Sequence, residues 1–252
     1  MPTISVKDGG SWVEAKEILV KDGGSWKPVL EVHVKDGGTW KKAFPESGTQ
    51  TYSTAGTYSF TVPNGIYTLT VPLLVGAGGG GAGFYGNGDN HAGGGGGSGG
   101  YYENQTISVT PGETLTIVVG DKGKSGSFEF NGTFYCVGTA YGTSGGGATY
   151  SDGTSGGDTI IKRGSTELLK ATGGEGGQGA GPGDNMGASR SGVGGLPNGV
   201  TGATPNPNRN SYPATAGGDN GKGYGKGGNG NGSSGGAICP TEGGVGYMSL
   251  SW

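Results

Sequence analysis

The side chains that could do chemistry in this sequence are few. The 252 residues include two histidines and two cysteines. His91 follows Asp89 and Asn90, a grouping that could serve acid–base catalysis or hold a metal ion. Contact with a binding partner, or plain exposure in a loop, is the favoured interpretation. His33 occupies a solvent-facing position of a repeated strand and is predicted to be inert.

Known catalytic spacings do not occur. There is no CxxC, HExxH or GxSxG arrangement. Matches to GxGxxG, such as residues 76–81, lack the amphipathic helix that a dinucleotide site requires. Four aspartates lie beside glycines without the GGxGxDxUx spacing of calcium repeats, and aspartate is also a common turn former: Asp152, Asp158, Asp184 and Asp219. The sequence therefore predicts no enzyme, no metal and no cofactor.

The two cysteines, Cys136 and Cys239, lie far apart in the sequence. Two buried thiols are the favoured interpretation. A disulfide needs Cα atoms close together and an oxidising environment, and the sequence shows neither.

Composition excludes several classes of protein. Glycine supplies 65 of 252 residues, and hydrophobic residues only 30%, so the apolar core should be small and confined to strands. Net charge is −3 and there is no basic stripe, which argues against nucleic-acid binding. No apolar run approaches the roughly 20 residues of a membrane helix. The first residues lack the basic and apolar regions of a secretory signal.

Glycine tracts occupy roughly 76–100, 142–157, 173–202 and 217–246. Such composition usually marks disorder, but here the tracts alternate with strand patterns. We therefore predict ordered polyglycine II helices, whose sideways N–H and C=O groups bond to neighbouring helices. A period of three leaves one outward position per turn, as residues 173–181 show with Glu175 and Gln178.

The first 44 residues are an internal repeat. Trp12, Trp26 and Trp40 are spaced 14 apart, and each follows an Asp-Gly-Gly sequence that is typical of a hairpin turn. Because lone hairpins are marginal in water, three must pack on each other or on a partner. A shared apolar face would use the tryptophans with Val6, Ile18, Val20 and Val34. Two interpretations stay open: a self-contained β-meander, or a pseudo-threefold cap on a trimeric partner.

Alternating apolar residues predict strands at 58–62, 66–75, 105–109, 113–119, 128–137, 159–162, 167–171 and 247–252. Residues 45–54 are predicted to be a polar bridge. The predicted fold class is all-β with little or no α-helix. It has a three-hairpin repeat over 1–46, then a small β-sandwich with a packed polyglycine II array over 47–252.

Richer segments interrupt the glycine tracts at 84–91, 184–190, 196–200 and 204–213. Helices packed side by side have ends, and connecting segments must emerge there. Loops on rigid scaffolds tend to carry function. These combine aromatic residues, Asn, Arg and Gly, a mixture like that of antibody paratopes.

Three stretches carry a resemblance to a known family. Residues 56–65 (GTYSFTVPNG) precede an apolar strand and polyglycine, residues 105–114 (QTISVTPGET) run into 117–120 (IVVG), and residues 243–252 (GGVGYMSLSW) close the chain. Over about residues 50–252 this pattern resembles the glycine-rich domains of bacteriophage tail-fibre and receptor-binding proteins. It is similar to the detachable long-tail-fibre tip adhesins of T-even-like phages. The N-terminal hairpin repeat departs from those adhesins.

In that family, a layered polyglycine II domain presents variable loops to an outer-membrane receptor, and an N-terminal region attaches to the trimeric fibre. The resemblance implies a non-enzymatic virion adhesin at a tail-fibre tip, made in the host cytoplasm. Its partners would be a host outer-surface receptor (an outer-membrane protein or surface glycan) and the trimeric tail-fibre protein. Fibre attachment would fall to Trp12, Trp26 and Trp40. The receptor-binding residues would be Phe84, Tyr85, Asn87, Asp89, Asn90, His91, Asn185, Met186, Arg190, Asn206, Asn208, Arg209, Asn210 and Tyr212.

Two other classes of protein remain as alternatives. One is a structural tail connector or decoration protein without receptor contact. Such a role does not explain the aromatic and arginine residues beside the glycine tracts. The other is an ice-binding or extracellular surface protein. That class favours a flat face rich in Thr, Ser or Ala and usually a signal peptide, and the sequence displays neither.

Overall fold

The computed structural model describes residues 4–15, 17–29, 31–44, 47–83, 93–130, 133–136, 143–145, 148–179, 190–203, 216–230 and 239–252. These residues form strands and no helix, so the all-β prediction is confirmed. The strands of the N-terminal repeat are β1 (Ser5–Asp8), β2 (Ser11–Glu14), β3 (Leu19–Asp22), β4 (Ser25–Pro28), β5 (Val32–Asp36) and β6 (Thr39–Phe44).

Twelve further strands follow. They are β7 (Thr49–Tyr52), β8 (Gly56–Thr61), β9 (Thr68–Val75), β10 (Tyr101–Ser108), β11 (Thr114–Val119), β12 (Phe128–Phe130), β13 (Thr133–Cys136), β14 (Thr143–Gly145), β15 (Ala148–Tyr150), β16 (Thr159–Arg163), β17 (Thr166–Ala171) and β18 (Tyr247–Ser251). No helix of membrane-spanning length and hydropathy occurs among the described residues.

The N-terminal repeat folds as three separate hairpins, β1–β2, β3–β4 and β5–β6. In the first turn Gly9 and Gly10 have φ of 54° and 93°, and the other two turns repeat this pair of positive φ angles. Positive φ at both central positions defines the type I′ turn, which glycine adopts without steric cost. No strand of one hairpin pairs with a strand of another, so the β-meander interpretation is wrong.

The predicted shared apolar face of the repeat is also wrong. Val6, Val20 and Val34 remain 54%, 50% and 50% exposed, and the three tryptophans are more exposed still. Strands of four to six residues in separate two-stranded sheets are too short to cover one another. The hairpins therefore carry their apolar side chains into solvent on both faces.

Two four-stranded sheets form the predicted sandwich, in the orders β10-β9-β18-β7 and β17-β16-β11-β8. Strand β9 shows how such a sheet buries one face. Leu69 and Val71 are buried while Thr68 faces solvent, which is the alternation of a half-buried strand. Both sheets contribute to one core. Its fully buried side chains include Leu69, Leu74, Leu115, Ile117, Ile161, Met248 and Leu250.

Part of the predicted polar bridge at 45–54 is a sandwich strand instead. Strand β7 pairs antiparallel with β18, and Tyr52 enters the core. Thr49, Gln50 and Thr51 are exposed, so this edge strand lacks the apolar alternation that marks a strand in sequence. Next to it, Gly48 and Trp252 exchange backbone hydrogen bonds of 3.0 Å in both directions.

Glycine-rich chain segments pack side by side into what we call the glycine array. Within the described residues its ten segments are 76–83, 93–100, 120–127, 151–158, 172–179, 190–195, 199–203, 216–220, 225–230 and 239–246. In the first segment, Gly76 and Gly79 donate to segment 93–100, and Ala77 and Gly80 donate to segment 151–158. This period of three is that of a polyproline II-type helix.

Two segments, 76–83 and 93–100, lie inside the array. Segment 76–83 donates N–H bonds to 93–100, 151–158 and 239–246, and its carbonyls accept bonds from 120–127, 172–179 and 225–230. Segment 93–100 is likewise bonded on all sides.

The other eight segments bond in a closed ring around these two inner segments. Inner side chains are limited to Ala and Ser. A Cβ on Gly80 would lie 2.0 Å from the carbonyl oxygen of Lys124. Ring segments instead carry larger side chains that face outward, such as Glu175 and Gln178, which are three residues apart.

A third four-stranded sheet, β13-β12-β15-β14, lies between array segments 120–127 and 151–158 in sequence. The predicted hairpin over 128–137 is present as β12 and β13. Strands β14 and β15 correct the predicted glycine tract at 142–157, because residues 143–145 and 148–150 pair as strands. Three-residue strands between glycines give no periodic signal in sequence.

The prediction of two buried thiols is wrong. Cys239, at the start of segment 239–246, is exposed and disulfide-bonded. The side chain of Cys136, the other cysteine of the sequence, lies outside what the structure describes.

Candidate functional site

The array has one end from which the chain makes long excursions, here called the distal end. The chain leaves it after residues 83, 127, 179, 203 and 230 and returns at residues 93, 151, 190, 216 and 239. Successive segments therefore run in opposite directions. All five points of departure and return lie at this one end.

Backbone hydrogen bonds close the bases of these excursions and link neighbouring bases. The amide of Ala82 donates to the carbonyl of Gly94 at 2.9 Å, and that of Gly83 donates to Ser151 at 3.0 Å. Gln178 donates to Arg190 at 2.8 Å in the same way. Two further pairs join Ala203 to Ala216 and Thr241 to Asn229. The five excursions thus share one rigid base built from backbone hydrogen bonds.

Among the predicted receptor-binding residues, Arg190 lies within the described residues. It is exposed at the distal end, where it begins segment 190–195. The other thirteen lie outside the described residues, although the chain leaves and re-enters the distal end on either side of them: Phe84, Tyr85, Asn87, Asp89, Asn90, His91, Asn185, Met186, Asn206, Asn208, Arg209, Asn210 and Tyr212.

The opposite end of the array meets the sandwich, and a short turn locks the two together. Residues 221–225 fold over the outer face of the sheet that contains β18. The rings of Tyr224 and Tyr247 stack with centroids 4.1 Å apart and planes 15° apart. A Cβ on Gly225 would lie 2.8 Å from Cγ1 of Val75, so the turn approaches the sheet as closely as glycine allows.

Electrostatic contacts hold the same turn. The Nζ of Lys222 donates to Glu103 at 2.8 Å and lies 4.6 Å from the centre of the Tyr101 ring. The hydrogen bond to Glu103 raises the pKa of the Lys222 ammonium group. The sequence prediction missed this turn, because it includes residues 221–225 in the glycine tract at 217–246. Glu103, the partner of Lys222, lies 119 residues away from it in the sequence.

Polar side chains close the outer surface of the ring segments. Oδ1 of Asp158 accepts from the amide of Gly173 at 2.9 Å, and Oδ1 of Asp152 accepts from Gly179 at 2.7 Å. Oγ1 of Thr172 accepts from Leu196 at 2.7 Å. Each amide faces outward, where no further segment of the array lies. Buried or half-buried N–H groups thereby gain the partners that they need.

The hairpins join the sandwich at the end remote from the array. Phe44 is buried against Gly65, where a Cβ would lie 2.2 Å from the phenylalanine ring. The hydroxyl of Tyr67 donates to Glu17, and this bond raises the pKa of Tyr67 to about 12. Both contacts precede β9, whose other end runs directly into the array. At about 3.3 Å per residue, β9 separates the two junctions by roughly 25 Å.

The three tryptophans predicted for fibre attachment are exposed, at 72% for Trp12 and 65% each for Trp26 and Trp40. Each pairs directly with a lysine on the facing strand: Lys7, Lys21 and Lys35 respectively. The repeat in the sequence predicted this equivalence. Their common exposure contradicts only the expectation of mutual packing.

The described residues offer little catalytic chemistry. His33 is exposed and its Nε2 lies 2.9 Å from a carboxylate oxygen of Glu31, an arrangement of two surface side chains. In the part of the chain that the structure describes, no three His, Cys, Asp or Glu side chains come together as metal ligands. His91 with Asp89 lies outside the described residues.

No protein-family model matches the chain. A search of curated proteins also finds no match.

Proposed function

We propose that this protein is a non-enzymatic phage virion adhesin at the tip of a tail fibre. Its distal excursions would bind a host outer-surface receptor, either an outer-membrane protein or a surface glycan. The observation that carries the proposal is the position of the excursions. Five of them leave one end of the glycine array, and the hairpins join the molecule beyond its other end.

A molecule with two opposed ends suits a protein that connects two partners. The hairpins would attach to the trimeric tail-fibre protein, and the distal end would then face away from it. Resemblance of residues 50–252 to tail-fibre tip adhesins supports the same orientation. The protein would act in host attachment and viral entry as part of the virion.

The glycine array supports the proposal energetically. Binding loses affinity when loops must be ordered, and a rigid base reduces that cost. Here the excursions begin and end at residues fixed by inter-segment hydrogen bonds of 2.8–3.0 Å, such as Gln178 to Arg190 and Ala82 to Gly94. Adjacent excursions could therefore vary in sequence without disturbing the array beneath them.

Binding of the purified, fluorescently labelled protein to a panel of bacterial strains tests this function. We expect saturable binding to a few strains, with competition against adsorption of the phage to those strains. A folded protein that binds none of the phage's own hosts would contradict the proposal. It would favour the alternative, a structural tail connector or decoration protein.

Substitutions at the distal end sharpen the test. Replacing Arg190, or Arg209 together with Tyr212, by Ala should weaken cell binding about tenfold or more, as loss of an interface hot spot does. Thr166→Ala is the matched control, because Thr166 is exposed at the start of β17, and the other end of that strand leads into the array. Unchanged cell binding by both distal variants would remove these residues from the receptor site.

A further inference from the structure

The three hairpins present one surface in three copies. Directly paired residues of an antiparallel ladder project on the same face, and the pairs Lys7–Trp12, Lys21–Trp26 and Lys35–Trp40 are equivalent in register. We call each of these a Trp–Lys face. All three tryptophans are at least 65% exposed. The hairpins thus repeat an aromatic contact surface together with its neighbouring charge.

The opposite faces of the hairpins are not equivalent. In the first hairpin Val6 pairs with Val13, whereas Val20 and Val34 each face a lysine. Those lysines, Lys27 and Lys41, bond to the turn aspartates Asp22 and Asp36, both at 2.7 Å. One opposite face is therefore apolar and two are ion-paired. The Trp–Lys pair is therefore the aromatic contact that all three hairpins share.

We propose that each Trp–Lys face binds one chain of a three-chain partner, so that a single copy of this protein covers the partner's threefold axis. This inference rests on the proposed function, in which that partner is the trimeric fibre. Three identical chains related by a threefold axis offer three identical sites. Three hairpins in one polypeptide match that number, whereas a twofold partner would leave one hairpin unused.

Interface size supports the engagement of all three hairpins. Stable interfaces use roughly 20–30 residues on each side, and residues 5–14 make up the whole first hairpin. The Trp–Lys face of one hairpin uses only about half of these residues and falls well below that size, so stable binding needs all three faces together. Covalent linkage then raises the affinity further, because binding of the first hairpin places the others at high effective concentration.

Charge indicates the chemistry of the site on each partner chain. The Nζ of Lys21 lies over the Trp26 ring, 5.9 Å from its centre, so a positive charge accompanies the aromatic surface. A complementary site is an apolar slot that takes the indole ring, with a carboxylate at its rim opposite the lysine. Junctions with the sandwich, at Glu17 and Phe44, lie outside the hairpin turns and leave the Trp–Lys faces free.

The test uses the full chain and the purified trimeric tail-fibre protein of the same phage. Native mass spectrometry should give one copy of this protein per fibre trimer. Single variants Trp12→Ala, Trp26→Ala and Trp40→Ala should each raise Kd about tenfold, within roughly threefold of one another. The triple variant should lose binding. Three copies per trimer, or one tryptophan that carries the whole effect, would overturn the inference.

Matched controls on the opposite faces are Val6→Thr, Val20→Thr and Val34→Thr, which preserve shape at equally exposed positions. We expect their Kd to stay unchanged, and a loss equal to that of the Trp variants would count against the Trp–Lys faces. Trp→Phe variants guard against simple loss of the hairpin, since they keep an aromatic cross-strand neighbour; they should bind with intermediate Kd. Full binding by Trp→Ala variants would refute the proposal whatever the state of the hairpin.

Cell binding separates this inference from the proposed function. The triple Trp variant should still bind host cells as the wild type does, because the distal end is untouched. A wild-type protein that binds the trimer but no host cell would contradict the adhesin function and keep the attachment mode. A wild-type protein that binds cells but not the trimer would contradict the attachment mode and keep the adhesin function.

Discussion

The sandwich and the glycine array are held together in opposite ways. The sandwich is built from side chains: Leu69, Leu115, Ile117 and Leu250 are fully removed from water between its two sheets. Segments 76–83 and 93–100 of the array have no side chain larger than Ala or Ser and instead bond through their backbones to every neighbour. Apolar burial is roughly proportional to area and tolerates change. A lattice of backbone hydrogen bonds fixes each distance and tolerates almost none.

The largest expected effect comes from one methyl group added inside the array. In Gly80→Ala the new Cβ would lie 2.0 Å from the Lys124 carbonyl oxygen, which is backbone and cannot rotate away. Segments 76–83 and 120–127 would have to separate, with loss of their hydrogen bonds. We expect a loss of about 4 kcal/mol or more in the free energy of unfolding, measured by denaturant titration.

Ser155→Ala is the control for that experiment, because Ser155 lies in ring segment 151–158 with its side chain exposed. It should change stability by less than about 0.5 kcal/mol. Equal unfolding midpoints for Gly80→Ala and Ser155→Ala would show that the inside of the array accommodates an added side chain, as an apolar core can.

The junction between the two regions should be intermediate. Tyr224→Ala removes the ring that stacks on Tyr247 and should cost about 2 kcal/mol of unfolding free energy through lost aromatic contact and burial. Tyr224→Phe keeps the ring and should behave as the wild type. Hydrogen exchange would locate the change. If the amides of 225–230 exchange no faster in Tyr224→Ala, the turn does not lock the array to the sandwich.

A methyl group removed from the sandwich should matter less than one added to the array. Ile117→Val leaves a small cavity in a core of mixed aliphatic side chains that can adjust. We expect a loss of about 1 kcal/mol in unfolding free energy. The same denaturant titration used for Gly80→Ala provides the comparison. A cost above that of Gly80→Ala would reverse the contrast drawn between the two regions.

The smallest effect concerns an ion pair at the end of the sandwich remote from the array. Arg163 donates to both carboxylate oxygens of Glu113, at 2.8 and 2.9 Å, and this bonding lowers the pKa of Glu113. A lowered folded-state pKa contributes stability above the ordinary glutamate value of about 4.3. That contribution is lost as pH falls through the lowered value.

Unfolding free energies at pH 7 and pH 3 would detect it. We expect the loss of unfolding free energy between pH 7 and pH 3 to be smaller in Glu113→Gln than in the wild type. This difference should be smaller than the other stability changes predicted here, since the side chain of Arg163 is 44% exposed. An identical pH dependence for wild type and Glu113→Gln would show that the pair contributes nothing.

Period-2 and repeat signals made the sandwich strands and the hairpins predictable. Strand β9 is predicted by the alternation of Leu69 and Val71 with polar residues, and the 14-residue spacing of the tryptophans predicts three equivalent hairpins. Strands β7, β14 and β15 could not be found, because edge or glycine-rich strands bury too few apolar residues to show a pattern. The alternation of tracts and loops predicted excursions at the ends of an array.

Other features depend on partners that sequence alone does not supply. Residues 76–83 and 173–179 look alike as glycine tracts, yet one is enclosed on all sides and the other is at the surface. That difference is set by which segments lie beside them. The Tyr224–Tyr247 stack has the same origin, since it joins positions that only the completed fold brings together.

The polar groups on the outside of the array have a consequence for solubility. A block of laterally bonded polyglycine segments is a fragment of a crystal lattice, and nothing in such a lattice limits its growth. Three outward amides donate hydrogen bonds to side-chain oxygens of Asp152, Asp158 and Thr172. A segment of another molecule would otherwise bond to these amides. A few carboxylate and hydroxyl oxygens thus terminate the lattice, much as charged residues protect the edge strand of a sheet. They allow a sequence that is one quarter glycine to remain a discrete particle rather than a seed for precipitation.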